Sequence, residues 1–133
     1  MANEILDKSF AVATGSAVTR GTCAVFVTND QTVTLATTAG GPVLGVYQET
    51  IDAAKIATGK AVAAVRVIGI ARVKATGVIA RGSRVKVTAT GTVIQTAETT
   101  GLKENVVGVA LQTAAVNDEI DVLLTPGVAV YTP

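Results

Sequence analysis

Two runs, GPVLGVYQ at residues 41–48 and ENVVGVAL at 104–111, place a glycine inside an otherwise apolar, β-branched stretch. A glycine in a strand interior costs roughly 0.5–1 kcal/mol relative to alanine, so its recurrence in the same context marks a backbone requirement met twice, a bulge or a close approach of two chains. The surroundings repeat as well. TGSAVTRGTCAVFV from Thr14 parallels TGVIARGSRVKV from Thr76: Thr-Gly, apolar residues, Arg-Gly-Thr or Arg-Gly-Ser, then an alternating run. Each continues through a polar turn, TNDQT or TATGT, to a short strand around Val33 or Val93, then to a Thr-rich stretch and the glycine-containing run. Gly69 in AVRVIGIARV and Gly127 in DVLLTPGVAVY occupy corresponding places further on. The spacings drift by a few residues, which describes a divergent two-fold repeat rather than a solenoid of fixed period. The chain is thereby constrained to a tandem of two β units sharing one core, with halves at 14–75 and 76–133.

Composition agrees. The 133 residues suit one compact domain, and 49% are hydrophobic while only 3% are aromatic, with Val, Ala, Thr and Gly prominent. β-branched residues favour pleated, half-buried surfaces. The expected fold class is all-β: one compact β-barrel or β-sandwich built from two divergent repeats, with an extended N-terminal arm over residues 1–13 and at most one short helix. Mean hydropathy is high at +0.50, yet no apolar run reaches the ~20 residues of a membrane helix. Part of that apolar surface is therefore expected to serve an oligomer or lattice interface.

Alternation places the strands. Over Val65 to Lys74, the face Val65, Val67, Gly69, Ala71, Val73 reads as core, and Arg66, Ile68, Ile70, Arg72, Lys74 as the face toward solvent or a partner. In RGSRVKVTATGTVIQ, Val85 and Val87 oppose Arg84 and Lys86, and Thr90-Gly91 supplies a hairpin turn. Ile120, Val122 and Leu124 alternate until Pro126, which removes a backbone donor, so that strand must end, bend or lie on an edge there. The one helical pattern is ETIDAAKIATG at 49–59, with Gly59 as its stop.

The chemistry available is narrow. The chain has no histidine and no tryptophan, which excludes Ser-His-Asp, Cys-His and His-metal constellations. Cys23 is the single cysteine, so no intramolecular disulfide forms and a buried, inert thiol is expected, consistent with synthesis in a reducing cytosol. Gly59-Lys60 fails the nucleotide-loop pattern, which needs glycine where Ala54 stands and Ser or Thr where Ala61 stands. Asp118, Glu119 and Asp121 lack the ligand spacing of a calcium loop and read as a turn leading into a strand. No catalytic, cofactor-binding or metal-binding residue is assigned, no cofactor is expected, and the chain does not read as an enzyme.

Charge is more informative. No acidic residue lies between Asp52 and Glu98, whereas Lys55, Lys60, Arg66, Arg72, Lys74, Arg81, Arg84 and Lys86 do. Such a band can neutralise phosphates, but a net charge of +1 with two Tyr and two Phe leaves little for base stacking, and the balance weighs against nucleic acid. Contact between this basic face and an acidic face of a neighbouring copy or another protein is the favoured reading. The candidate partner-binding cations are Arg66, Arg72, Lys74, Arg84 and Lys86. The N-terminal segment carries Glu4 and Asp7 where a secretory signal would be basic. Its apolar Ile5, Leu6, Phe10 and Val12 form either a first strand of the domain or an arm that pairs with a neighbouring subunit; as an arm they join the candidate partner-binding set.

ATGVIARGSRVKVTATGTVIQT followed by NVVGVALQTAAVNDEIDVLLTPG resembles the small tailed-phage capsid cement, or head decoration, proteins. The likeness is clearest from Gly77 to Gly127: the glycine-bounded strand entry, the Gly91-Thr92-Val93 turn, the Val107-Gly108-Val109-Ala110 strand, a small-residue loop and a last strand with Glu119 and Val122. The N-terminal half is similar mainly through the internal repeat, and the helical insertion at 49–59 departs from the pattern. The resemblance implies a non-enzymatic structural virion protein on the outer capsid surface, made in the host bacterial cytoplasm. Its partner would be the major capsid protein, neighbouring copies of which it bridges to stabilise the expanded shell, and it would self-associate as a trimer or, second, a dimer. The alternative is another β-rich virion component, such as a head fibre base or a tail protein.

Overall fold

The computed structural model describes residues 5–13, 17–27, 30–97 and 103–130. Among these, ten strands follow the period-two alternation: β1 Leu6–Val12, β2 Cys23–Phe26, β3 Thr32–Leu35, β4 Gly45–Tyr47, β5 Val62–Ile68, β6 Ile70–Lys74, β7 Arg84–Val87, β8 Val93–Gln95, β9 Lys103–Ala110 and β10 Glu119–Val130. One short helix, α1 Ala53–Ala57, precedes β5. The all-β expectation holds, and the chain combines a closed barrel with a second five-stranded sheet.

The first five strands close into a barrel in the order β1-β3-β2-β4-β5, with β5 returning to β1. The last five form a sheet in the order β6-β10-β9-β7-β8. Substituting β6 to β10 for β1 to β5 gives the same cyclic order, and the registers agree residue for residue. Ala24 pairs with Gly45 and Val46 with Arg66 in the first unit; Val85 pairs with Gly108 and Val109 with Leu123 in the second. The parallel pair that closes the first barrel, Val12 with Val33, has its counterpart in the parallel bridge between Ala75 and Val93. The antiparallel bridge Val18 to Ile51 has its own in Ile79 to Ala114. The molecule is thus two copies of one five-stranded design.

At the seam the copies differ, and that difference joins them. In the first barrel the Ala11 N–H donates to the Gln31 carbonyl, 3.0 Å away, across the β1–β3 seam. In the second unit the Lys74 N–H donates instead to Gly21 O at 3.0 Å, and Gly91 O accepts from the Cys23 N–H at 2.8 Å. A segment of the first barrel, residues 21–23, therefore occupies the corresponding seam of the second. Gln31 and Gly91 share the turn geometry this needs, with φ of 57° and 80°.

Each unit has its own core, which refines the single shared core expected. Phe10, Val18, Val33, Tyr47, Ile56 and Val65 fill the first with others of their kind. Val73, Ile79, Val85, Val93, Ile120 and Val122 fill the second, joined by Cys23, Ala36 and Val46 from the first unit. Fully burying a side chain such as valine stabilises by about 1.5–3 kcal/mol, against about 0–1 kcal/mol for an exposed ion pair. Packing therefore carries the fold.

Four expectations are corrected. Residues 6–12 are not a free arm: β1 pairs antiparallel with β5 and parallel with β3, because Phe10 and Val12 alternate inward and are buried, and without β1 the barrel would have two open edges. Since β6 is the counterpart of β1, the repeat boundary falls at Gly69, not between Ala75 and Thr76. The strand expected over Val65 to Lys74 is broken there, Gly69 taking φ +113° as the chain passes from one unit to the other. The helix is shorter than 49–59. The Glu49 carboxylate accepts from the Ala64 N–H, the Thr50 hydroxyl from the Arg20 N–H, and Ile51 bridges Val18, so the helix starts at the Asp52 cap, whose Oδ1 accepts from the Lys55 N–H at 2.8 Å. The β7–β8 hairpin forms as expected, and at Pro126 the last strand bends, its register with β9 shifting between Leu124 and Gly127 before it continues. Residues 1–4 of the expected arm, the Thr14-Gly15 pair, part of the 28–32 turn and Glu98 lie outside the described residues.

Candidate interaction surface

The residues singled out from the sequence separate into four environments. Phe10 and Val12 lie inside the first barrel, at 5% and 4% exposure, and are unavailable to a partner. Phe10 meets the Phe26 ring edge-to-face, centroids 5.7 Å apart, and Lys8 Nζ sits 5.6 Å from its ring centre. Ile5 and Leu6, at the start of the same segment, are exposed.

Arg66 is a structural fastener. Its Nε and one terminal nitrogen donate to the two carboxylate oxygens of Asp7, at 2.8 and 3.1 Å, and its other terminal nitrogen donates to the Ile70 carbonyl at 2.9 Å. One guanidinium thus ties β1, β5 and β6 together, in the forked geometry that arginine offers a carboxylate. The hydrogen bonds from Arg66 hold the Asp7 carboxyl below the ordinary carboxylate range, and Asp7 in turn raises Arg66.

Lys86 is likewise committed. Its Nζ donates to Glu104 Oε1 at 2.8 Å, and the same carboxylate, itself only 5% exposed, accepts from the Ala97 N–H. Arg72 stays half exposed between Glu119 and Asp121, 3.6 Å from each. Lys74 and Arg84 are exposed and form no ion pair among the described residues. The basic band of the sequence is therefore not one surface, because three of its five candidate cations are answered by carboxylates brought from other strands.

A column of charge and apolar surface emerges on the second unit. β6 and β10 are antiparallel neighbours, with Lys74 opposite Glu119, Arg72 opposite Asp121 and Ile70 opposite Leu123. Ile70 and Leu123 are exposed although apolar, as are Leu6 and Ile68, which pair across β1 and β5 at the adjoining end. Sequence reasoning placed Ile68 and Ile70 on the outer face but did not add Leu123, whose partner Ile70 is far away in the chain.

Phe26 was missed altogether. It is 56% exposed and lines a shallow groove of about 320 Å³ with Val25, Pro42, Val43 and Leu44. A second depression is lined by Pro42 and Val43 together with Asn105, Pro126 and Gly127 of the second unit. Alternation gave no signal of this, because Phe26 is in phase with Ala24, which is buried in the first core.

The other candidates have structural places. Asp118 Oδ2 accepts from the Ala115 N–H and closes the turn before β10, and among the described residues no group of three His, Cys, Asp or Glu side chains is arranged to hold a metal ion. Lys60 leaves the helix through a turn in which its N–H donates to the Thr58 hydroxyl. Cys23 is buried, and burial pushes its thiol up to about 12. Burial also raises the Tyr47 phenol. No helix among the described residues is long and apolar enough to cross a membrane.

No family model matches the chain, and no curated protein matches it. The fold does have a solved counterpart. The crystal structure of the head fiber gp8.5 N base in bacteriophage phi29 superimposes with a TM-score of 0.65, covering 92% of this chain and 95% of that one at 14% sequence identity. With so few shared residues, what the two proteins have in common is the whole fold from end to end.

Proposed function

We propose that this protein is a non-enzymatic structural component of a tailed-phage head, attached to the outside of the shell. The observation that carries the reading is the end-to-end fold likeness to a phage head fibre base, which joins the independent sequence resemblance of residues 77–127 to head decoration proteins. A role in surface attachment also suits the distribution of chemistry: the interiors of both units are packed with Val, Ala and Ile, while exposed apolar residues such as Phe26, Ile68 and Leu123 sit on the outer faces.

In the finer form of this proposal, the protein bridges neighbouring major capsid subunits and stabilises the expanded shell. Many modest contacts repeated over a lattice gain strength by avidity without specialised chemistry. The second reading is a fibre base, favoured by the fact that the chain accounts for nearly the whole of the phi29 base. Purified protein is mixed with expanded, undecorated heads of the phage that encodes it and imaged by electron microscopy. Regular density over the shell supports cement, density confined to fibre positions supports the base, and absence from the head overturns both.

A further inference from the structure

The outer face of β6 and β10 has a pattern that is complementary to itself. Along β6 run Ile70, Arg72 and Lys74; along β10, at the same heights, run Leu123, Asp121 and Glu119. One strand is cationic, its neighbour anionic, and both end in an exposed aliphatic residue, Ile70 at 43% and Leu123 at 40% exposure. The Leu6 and Ile68 pair, each about half exposed, lies where β5 ends, just before β6 along the chain. Charged groups alone would be an ordinary solvated face, but an exposed aliphatic pair set side by side at the end of the charged column, Ile70 and Leu123, is a feature of contact surfaces.

We propose that this face binds a second copy of the same chain about a two-fold axis parallel to the β6 and β10 strands. Such an axis, lying between the two strands, sets β6 of each copy over β10 of the other at equal height. Arg72 then faces Asp121, Lys74 faces Glu119 and Ile70 faces Leu123, and each contact occurs twice, as an isologous interface requires. A two-fold axis in the plane of the face and perpendicular to the strands would stack cation on cation and anion on anion, which like-charge repulsion disfavours. The charge pattern therefore selects both the occupant and its orientation, independently of what the protein binds on a virion.

Sedimentation of the full chain tests this. Wild type is expected to pass from one-chain to two-chain mass as concentration rises. Arg72→Glu and Asp121→Arg each put like charges in contact and should weaken association by at least about ten-fold. Their equimolar mixture should regain it, because the carboxylate introduced in one copy then meets the guanidinium introduced in the other, although the pairs within each chain remain broken. Ile70→Ser should also weaken association while its circular dichroism stays that of wild type. A mass fixed at one chain, a three-chain species, single variants that associate like wild type, or a mixture that stays monomeric would each overturn the proposal.

Discussion

Gly108 lies so close to Leu123 that a Cβ on the glycine would overlap the Leu123 carbonyl oxygen, and Gly45 stands in the same relation to Arg66. In both cases the clashing carbonyl belongs to the residue paired with the glycine's successor, Val109 or Val46. The two glycines are one structural solution used twice. Gly45→Ala and Gly108→Ala should each destabilise by about 2–4 kcal/mol, since backbone atoms must move to make room. Gly127→Ala, whose added Cβ meets nothing, is the control and should lie within about 0.5 kcal/mol of wild type. Urea unfolding midpoints measure all three.

The Asp7–Arg66 pair makes part of the stability depend on acid. The Asp7 carboxyl is held below its ordinary value of 3.8 in the folded chain. Its contribution is therefore complete above that value and is lost as pH falls through the lower, folded-state value. Asp7 is more than a third exposed, so solvent screening limits the contribution to about 1 kcal/mol or less. Asp7→Asn should be less stable than wild type at neutral pH, and the gap should close toward pH ~2. Denaturant titrations of both proteins across that range read the difference directly.

These two relationships show what was legible in the sequence. The glycines, the β7–β8 hairpin, the bend at Pro126 and the two-fold repeat rest on turn chemistry and alternation among residues close in the chain. Arg66 was a candidate partner-binding cation, and the carboxylate that engages it was out of view because it is 59 residues away. The pairing of Lys86 was hidden for the same reason, its partner Glu104 arriving on another strand. The apolar row of Ile70 and Leu123 likewise exists only once β6 and β10 take their register. Local pattern reports which way a side chain points; which strand lies beside it is set by how the barrel and the second sheet assemble.

The first strand is the sharpest case, since alternation allowed either an arm or a core element. Removing residues 1–13 should abolish cooperative folding of the first barrel, because it leaves β3 and β5 without their partner and opens two edges. Phe10→Ala is the milder form and should cost about 3–4 kcal/mol for a buried aromatic. Retention of a sharp unfolding transition in the truncated chain, followed by circular dichroism, would return residues 6–12 to the status of an arm.

Cys23 reports on the junction between the two units. Its N–H donates to Gly91 O and its side chain belongs to the core of the second unit, so the thiol is covered only while residues 21–23 remain in the seam. In the second unit the corresponding position is the exposed Arg84, a residue that could not enter such a seam without burying an unpaired charge. The folded protein should therefore resist a thiol reagent at pH ~8, both because the group is buried and because burial raises its pKa to about 12. Full reactivity should appear only in denaturant. Labelling that is complete under native conditions, or that precedes loss of the β signal on urea titration, would show that the seam opens without unfolding and that the two units are less tightly joined than their hydrogen bonds imply.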